Sequence, residues 1–241
     1  MDLAATADRT AVAALSWHAG GATVTDLAVG ADDAAIAALA DSSDAVAIDA
    51  PFGWPIAFVG FIAAHHLGRP PIASLETVAD RRAVTHRRTD TFVAATTGLT
   101  PLLVSADRIA HVALRNAGLL ARLGAADADR STGPIFEVYP AAALHIWGLP
   151  SRGYKKEPGT ALRAEIVDRL VEAAGGRLDL GAFADVLRAE DDALDAVVAA
   201  LVGRAAELGR AYAPPERDAD AASLEGWIQL PTCGVGELFS A

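Results

Sequence analysis

The sequence predicts an α/β fold in which a mixed sheet is covered by helices on both faces, and three observations lead there. Three β-like segments separated by tight-turn signals open the chain. Two isolated apolar strand segments, each stopped by a proline, follow at wide spacing. Helical patterns fill the intervals and close the chain. The expected sheet has five strands, three antiparallel and then two parallel.

The opening segments are Met1 to Ala4, Thr10 to Trp17 and Ala22 to Ala28. Thr6 to Arg9 and the pair Gly20, Gly21 are short enough for tight connections, so the simplest arrangement is an antiparallel meander. A helix is expected from Asp32 to Ala40. The run from Ala45 to Ala50 reads as a buried strand that carries Asp49 at its end, before Pro51. Helical patterns then cover much of Ile56 to Leu67, Leu75 to Gly98 and Ser105 to Gly124, with loops at 68–71 and 100–101. This helix-rich stretch, roughly 56–130, reads as an insertion. A second isolated strand, Ile135 to Tyr139, carries Glu137 and is closed by Pro140, repeating the Asp49 pattern. A short helical run from Ala141 to Trp147, a polar loop at 151–159, helices over Thr160 to Ala174 and Asp191 to Leu208, and a late strand at Trp227 to Leu230 complete the reading. No repeat or linker marks a boundary, so residues 1–241 are expected to form one domain.

Composition narrows the function. Asp, Glu or Arg interrupts every alanine-rich stretch, so no window reaches the roughly 20 apolar residues needed to cross a bilayer. The lone Cys233 excludes an internal disulfide, and the first residues show no basic-then-apolar secretory pattern, which points to a soluble cytoplasmic protein. A net charge of −11 repels polyanions on average and argues against a passive nucleic-acid coat. Positive charge is clustered, however: Arg81, Arg82, Arg87 and Arg88 lie close together, and the lysines are the adjacent Lys155 and Lys156. Such clusters meet phosphate or balance an acidic surface. No Gly-x-Ser-x-Gly elbow, phosphate-binding Gly-Lys loop or cysteine pair for zinc is present. The adjacent His65 and His66 cannot both face one ligand, and His18, His86, His111 and His145 are isolated.

Carboxylates carry the chemistry. Asp2, Asp49, Glu137 and the group Asp191, Asp192 and Asp195 all border apolar runs. A carboxylate beside a buried strand is costly unless paired, hydrogen-bonded or bound to metal. Mg²⁺ or Mn²⁺ prefers such oxygens, and a pair of metal ions held by three or four of them hydrolyses phosphodiesters. In the closing helix, Asp192 and Asp195 are three apart and Asp191 and Asp195 four apart, so they share a face, with Leu194, Val198, Leu201, Ala205 and Leu208 marking the buried stripe. Acidic residues in a first helical turn also serve the helix dipole, and strand-end acids brace proline turns.

The motifs Ala47-Ile48-Asp49-Ala50-Pro51, Arg87-Arg88-Thr89-Asp90, Glu137-Val138-Tyr139-Pro140, Tyr154-Lys155, Asp192-Ala193-Leu194-Asp195-Ala196 and Glu225-Gly226-Trp227-Ile228 together resemble the DUF429 family of predicted ribonuclease H-like nucleases, over nearly the whole chain. The resemblance implies a ribonuclease H-like sheet with Asp2, Asp49, Glu137, Asp192 and Asp195 converging as catalytic residues, and Asp2, Asp49, Glu137 and Asp195 holding Mg²⁺ or Mn²⁺. It also implies Arg88, Asp90, Tyr154 and Lys155 as substrate contacts. One departure stands out: such proteins usually carry several apolar residues ahead of the first-strand acid, whereas here Asp2 follows Met1 directly. The expected function is metal-dependent cleavage of nucleic acid or nucleotides; the alternative is a non-catalytic nucleotide- or metal-binding regulator. Phosphoryl transfer from a nucleotide is a third reading, weakened by the lack of a second domain to close over ATP.

Overall fold

The computed structural model describes residues 1–69, 74–155 and 158–240. Of the readings above, Lys156 and part of the loops at 68–71 and 151–159 lie outside them. Strands β1 (Ala11–His18) and β2 (Gly21–Val29) form an antiparallel hairpin around Ala19 and Gly20. Helix α1 (Asp33–Asp41) follows, started by the Asp32 carboxylate, which accepts from the backbone N–H groups of Ala34 and Ala35. The short β3 (Val46–Ile48) comes next. Four helices then intervene: α2 (Ile56–His66), α3 (Val78–Thr85), α4 (Arg88–Thr97) and α5 (Ala110–Arg122). The stretch from Leu75 to Gly98 is thus two helices. Extended backbone at His86 and Arg87 divides it, and Asp90 reaches back to accept from the Arg87 N–H at 2.9 Å.

The second half carries β4 (Ile135–Val138), α6 (Pro140–Ile146), α7 (Thr160–Ala173), β5 (Leu178–Asp179), α8 (Ala184–Ala189), α9 (Asp191–Glu207), α10 (Ala219–Glu225) and β6 (Ile228–Gln229). Strand β5 lies parallel to β2 at Ala22 and Thr23. Gly21 allows that approach, because a Cβ there would collide with the Arg177 carbonyl. No helix among the described residues is long and apolar enough to cross a membrane.

The expectation of one five-stranded sheet is overturned. The strands form two sheets of three, ordered β1-β2-β5 and β3-β4-β6. The physical reason lies at the amino terminus. Residues 1–4, read as a first strand, pair only through Asp2, which bridges antiparallel to Ala11 and parallel to Asp49. The chain then turns into a short 3-10 segment at Ala7–Arg9. One bridged residue does not make a strand, so a gap separates β1 from β3. The two-residue strands β5 and β6, meanwhile, extend each sheet at its far side.

Helix α9 holds the two sheets together. It packs on β1 and β2 of one sheet and on β3, β4 and β6 of the other. Its burial is nearly continuous from Ala193 to Ala205, wider than the stripe of Leu194, Val198, Leu201, Ala205 and Leu208 expected from the sequence. Small residues make this closeness feasible: a Cβ on Gly203 would stand 2.8 Å from the Ala47 Cβ. The main core therefore combines Leu194, Val197, Val198 and Leu201 with Val24, Val138, Leu144 and Ile166. On the opposite side, Met1, Ile36, Ile48, Phe52 and Leu119 form a second core under α1 and α5.

Candidate functional site

Three of the five acids read as catalytic come together where the chain crosses between the sheets. Asp2 and Asp49 are backbone bridge partners, with the Asp49 N–H donating to the Met1 carbonyl at 3.0 Å. Asp195, one turn into α9, is fully buried beside them. Its Oδ1 accepts from the Tyr154 hydroxyl at 2.8 Å, and its Oδ2 is ion-paired with the Lys155 ammonium. The Tyr154-Lys155 pair is positioned by buried Arg163, which donates to the Tyr154 carbonyl at 2.6 Å and to the carbonyls of Arg188 and Ala189 ahead of α9. Nothing local in the sequence marks Arg163 for this task, since its partners come from three separate segments.

These groups share one electrostatic field. Burial pushes the Asp49 carboxyl up to about 7, with Asp195 adding to the rise and Lys155 and the Met1 ammonium opposing it. Asp2 is held well above the ordinary carboxyl range by burial, with repulsion from Asp195 and Asp49 adding to it. Asp195 is raised by burial against the pull of Lys155 and Tyr154. Lys155 responds in kind: burial opposes its charge, but Asp195 and its neighbours raise its pKa well above normal. Among the described residues no hydrogen-bond donor reaches the carboxylate of Asp2 or Asp49. The Lys155 and Met1 ammonium groups offset only part of the cost of burying carboxylates so placed.

Glu137 and Asp192 are placed differently. Asp192 sits at the edge of the cluster, paired with the exposed Arg9 at 3.0 Å. Glu137, buried on β4, gives its oxygens to the Arg87 guanidinium at 2.8 and 3.0 Å and accepts from the Phe52 N–H at 3.1 Å. Burial pushes its carboxyl up to about 7 against the attraction of Arg87. Arg87 is raised: burial acts against its charge, but Glu137 and Asp90 together outweigh that cost. Asp90 completes the group at 2.9 Å from Arg87, so it forms part of a buried ion-pair network. Arg88 points outward, 64% exposed and 3.7 Å from Asp218.

The sequence reading missed Arg87 and Glu225 as the organisers of this second cluster. Glu225, 4% exposed, accepts from the Ile56 N–H at 2.9 Å and from the Arg88 N–H at 2.8 Å. One carboxylate thereby meets the first turns of both α2 and α4, where orphan N–H groups and the helix dipole favour negative charge. The Glu225-Gly226-Trp227 motif was the available signal. Gly226 has φ of +92°, and a Cβ there would collide with the Glu137 carboxylate.

Among the described residues no group of three acidic, histidine or cysteine side chains is arranged as a ready ligand set. The donor chemistry of Asp2, Asp49 and Asp195 nevertheless fits a hard divalent cation: three carboxylates in one field, two of them without a hydrogen-bond donor. Glu137 does not join that set in this arrangement, because Arg87 and the Phe52 N–H occupy its oxygens.

These features define an α/β protein with a buried acidic cluster spanning two small sheets. The chain belongs to the DUF429 family: the family model, described as "Protein of unknown function (DUF429)", matches residues 1–220. No match was found among curated proteins or among solved structures.

Proposed function

We propose that the chain is a metal-dependent phosphodiesterase acting on nucleic acid or nucleotides, with Asp2, Asp49 and Asp195 as the residues that hold Mg²⁺ or Mn²⁺. One observation carries the reading: Asp2 and Asp49 lie bridged to each other beside the buried Asp195, and their charge is under-compensated. A divalent ion supplies Lewis acidity toward a phosphoryl oxygen and lowers the pKa of bound water. The chain's own residues supply the rest. Tyr154 fixes the orientation of Asp195 through its hydroxyl. Lys155, 44% exposed, is the cation at hand to meet a substrate phosphate when it leaves Asp195. Arg9 adds positive charge at the rim through its contact with Asp192.

The test is hydrolysis of end-labelled single-stranded and duplex DNA and RNA, and of a chromogenic phosphodiester, with Mn²⁺ or Mg²⁺. Activity in the wild type that vanishes in Asp195→Asn while Arg88→Ala retains it supports the assignment. Metal-dependent cleavage that survives Asp195→Asn and Asp49→Asn removes it. The Lys155–Asp195 ion pair favours a second reading, because a lysine already supplies positive charge to the carboxylates. That reading is a non-catalytic nucleotide- or metal-binding regulator, and its signature is ligand binding without turnover.

A further inference from the structure

Helix α2 is built from residues that belong inside a protein, yet it lies at the surface. Between Ile56 and His66 it contains no Asp, Glu, Lys or Arg, and a helix apolar on every side is normally buried. Here not one of its residues is fully buried. Phe58, Phe61 and Ala64 are half-buried, while Ile56, Val59, Ile62 and the capping Leu67 are between 45% and 63% exposed. At about 100 Å² each, these four leave about 400 Å² of apolar surface in water, and Val78 of α3 and Leu224 of α10, on helices that pack against α2, add about 200 Å². The total is near the upper limit for the largest apolar patch of a monomer, and about three-quarters of one partner's share in a standard interface.

The pattern on the exposed side specifies what covers it. Ile56, Val59, Ala63 and His66 follow one another at spacings of three, four and three, the seam of a helix that packs against another helix. Gly60 lies beside this seam, and among the described residues a Cβ there would meet nothing within 4 Å. A glycine inside a helix costs about 1 kcal/mol relative to alanine, and the chain's own packing gives no reason for it. Close approach by another backbone does. The seam is also complementary to itself. Turned end for end about a two-fold axis at the level of Phe61, it sets Val59 against the small Ala63 and Ile56 against His66, each contact made twice. The two helix dipoles then oppose, and the His66 end of each helix meets the end that the Glu225 carboxylate caps.

We infer that α2 is the contact face of a two-fold symmetric dimer of this chain, with the two copies of the helix packed antiparallel. Charge selects a second copy as the occupant. A chain of net charge −11 repels its own kind across most of its surface, whereas α2 brings no like charges together when set against its twin. The area buried, about 800–1,200 Å² over both copies, is that of a weak or transient complex, so the dimer should form at micromolar concentration. None of Asp2, Asp49 and Asp195 belongs to α2, so dimerisation does not depend on a bound metal.

Sedimentation equilibrium of the full chain in EDTA, from about 1 to about 100 µM, should show the mass rising from 24.8 kDa toward twice that value, with a Kd of roughly 1–30 µM. Val59→Lys and Ala63→Glu each place a charge in the seam and should raise Kd at least about tenfold. Mixing the two variants should restore a dimer, because opposite charges then meet across one contact while the other stays native. Both positions are exposed, so the variants should keep the wild-type Tm. The wild type also supplies a readout that needs no variant: its α2 amides should exchange more slowly at about 100 µM than at about 1 µM. A wild type that stays monomeric at about 100 µM would overturn the inference, as would a Kd that ignores both substitutions or a mixture of the variants that stays monomeric. Recruitment of monomeric wild type to neutral lipid vesicles through α2, with no dimer in solution, would overturn it in favour of a membrane surface.

Discussion

Replacing Asp49 with Asn should stabilise the metal-free protein, which is the reverse of what removing a buried polar partner ordinarily does. The Asp49 carboxyl rises from 3.8 to about 7 on folding, mainly through burial. Between these values the folded chain holds more protons than the unfolded chain, so stability falls as pH rises through that window. By pH 8 the full penalty is present. Each tenfold change in proton affinity is about 1.4 kcal/mol, which gives at most about 4 kcal/mol. Because Asp2 and Asp195 share the same field, about 2–4 kcal/mol is the working range. Asn keeps the shape and removes the charge. Urea unfolding of Asp49→Asn in EDTA at pH 8 should therefore show a gain of that size, shrinking toward zero by about pH 4 because the wild type regains stability as pH falls over that interval. A variant as stable as the wild type or less so at pH 8, with an unchanged pH profile, would refute the argument that Asp49 is an under-compensated carboxylate.

The second cluster should behave oppositely. Arg87→Met leaves Glu137 and Asp90 buried without their shared cation, and should cost about 3–5 kcal/mol in urea unfolding; a loss below about 1 kcal/mol would show that the ion-pair network is not structural. Gly226→Ala combines a positive φ with a collision against Glu137, and should lower Tm by at least about 4 °C, checked by calorimetry. Tyr154→Phe removes the hydroxyl that orients Asp195 and should cost about 1–2 kcal/mol, read by urea unfolding at pH 7.

Much of this architecture is legible in local sequence. The apolar run before Asp49 is β3 and the run that carries Glu137 is β4, paired in parallel as their buried character suggests. The helices expected over Asp32 to Ala40 and Asp191 to Leu208 are present as Asp33–Asp41, with Asp32 as its cap, and Asp191–Glu207. What is not legible depends on contacts remote in sequence. Strand β5 is two residues long and exists because Gly21 admits the Arg177 backbone. The single expected sheet fails because only Asp2 pairs in the segment assigned to its first strand, a property of register that alternation alone does not reveal. In the site, the convergence of Asp2, Asp49 and Asp195 is what the motif resemblance to the family implies, not something residue spacing alone reveals. The capture of Glu137 by Arg87 does not, because no pattern distinguishes Arg87 from its neighbour Arg88, which faces solvent.

The central claim is that Asp2, Asp49 and Asp195 form a divalent-cation site, and calorimetric titration of the wild type, Asp49→Asn and Asp195→Asn with Mn²⁺ at pH 7.5 tests it most directly. The account predicts saturable binding to the wild type, accompanied by proton release as the raised carboxyls ionise, and its loss in both variants. Absence of binding to the wild type at millimolar Mn²⁺, or binding unchanged by both substitutions, would contradict it.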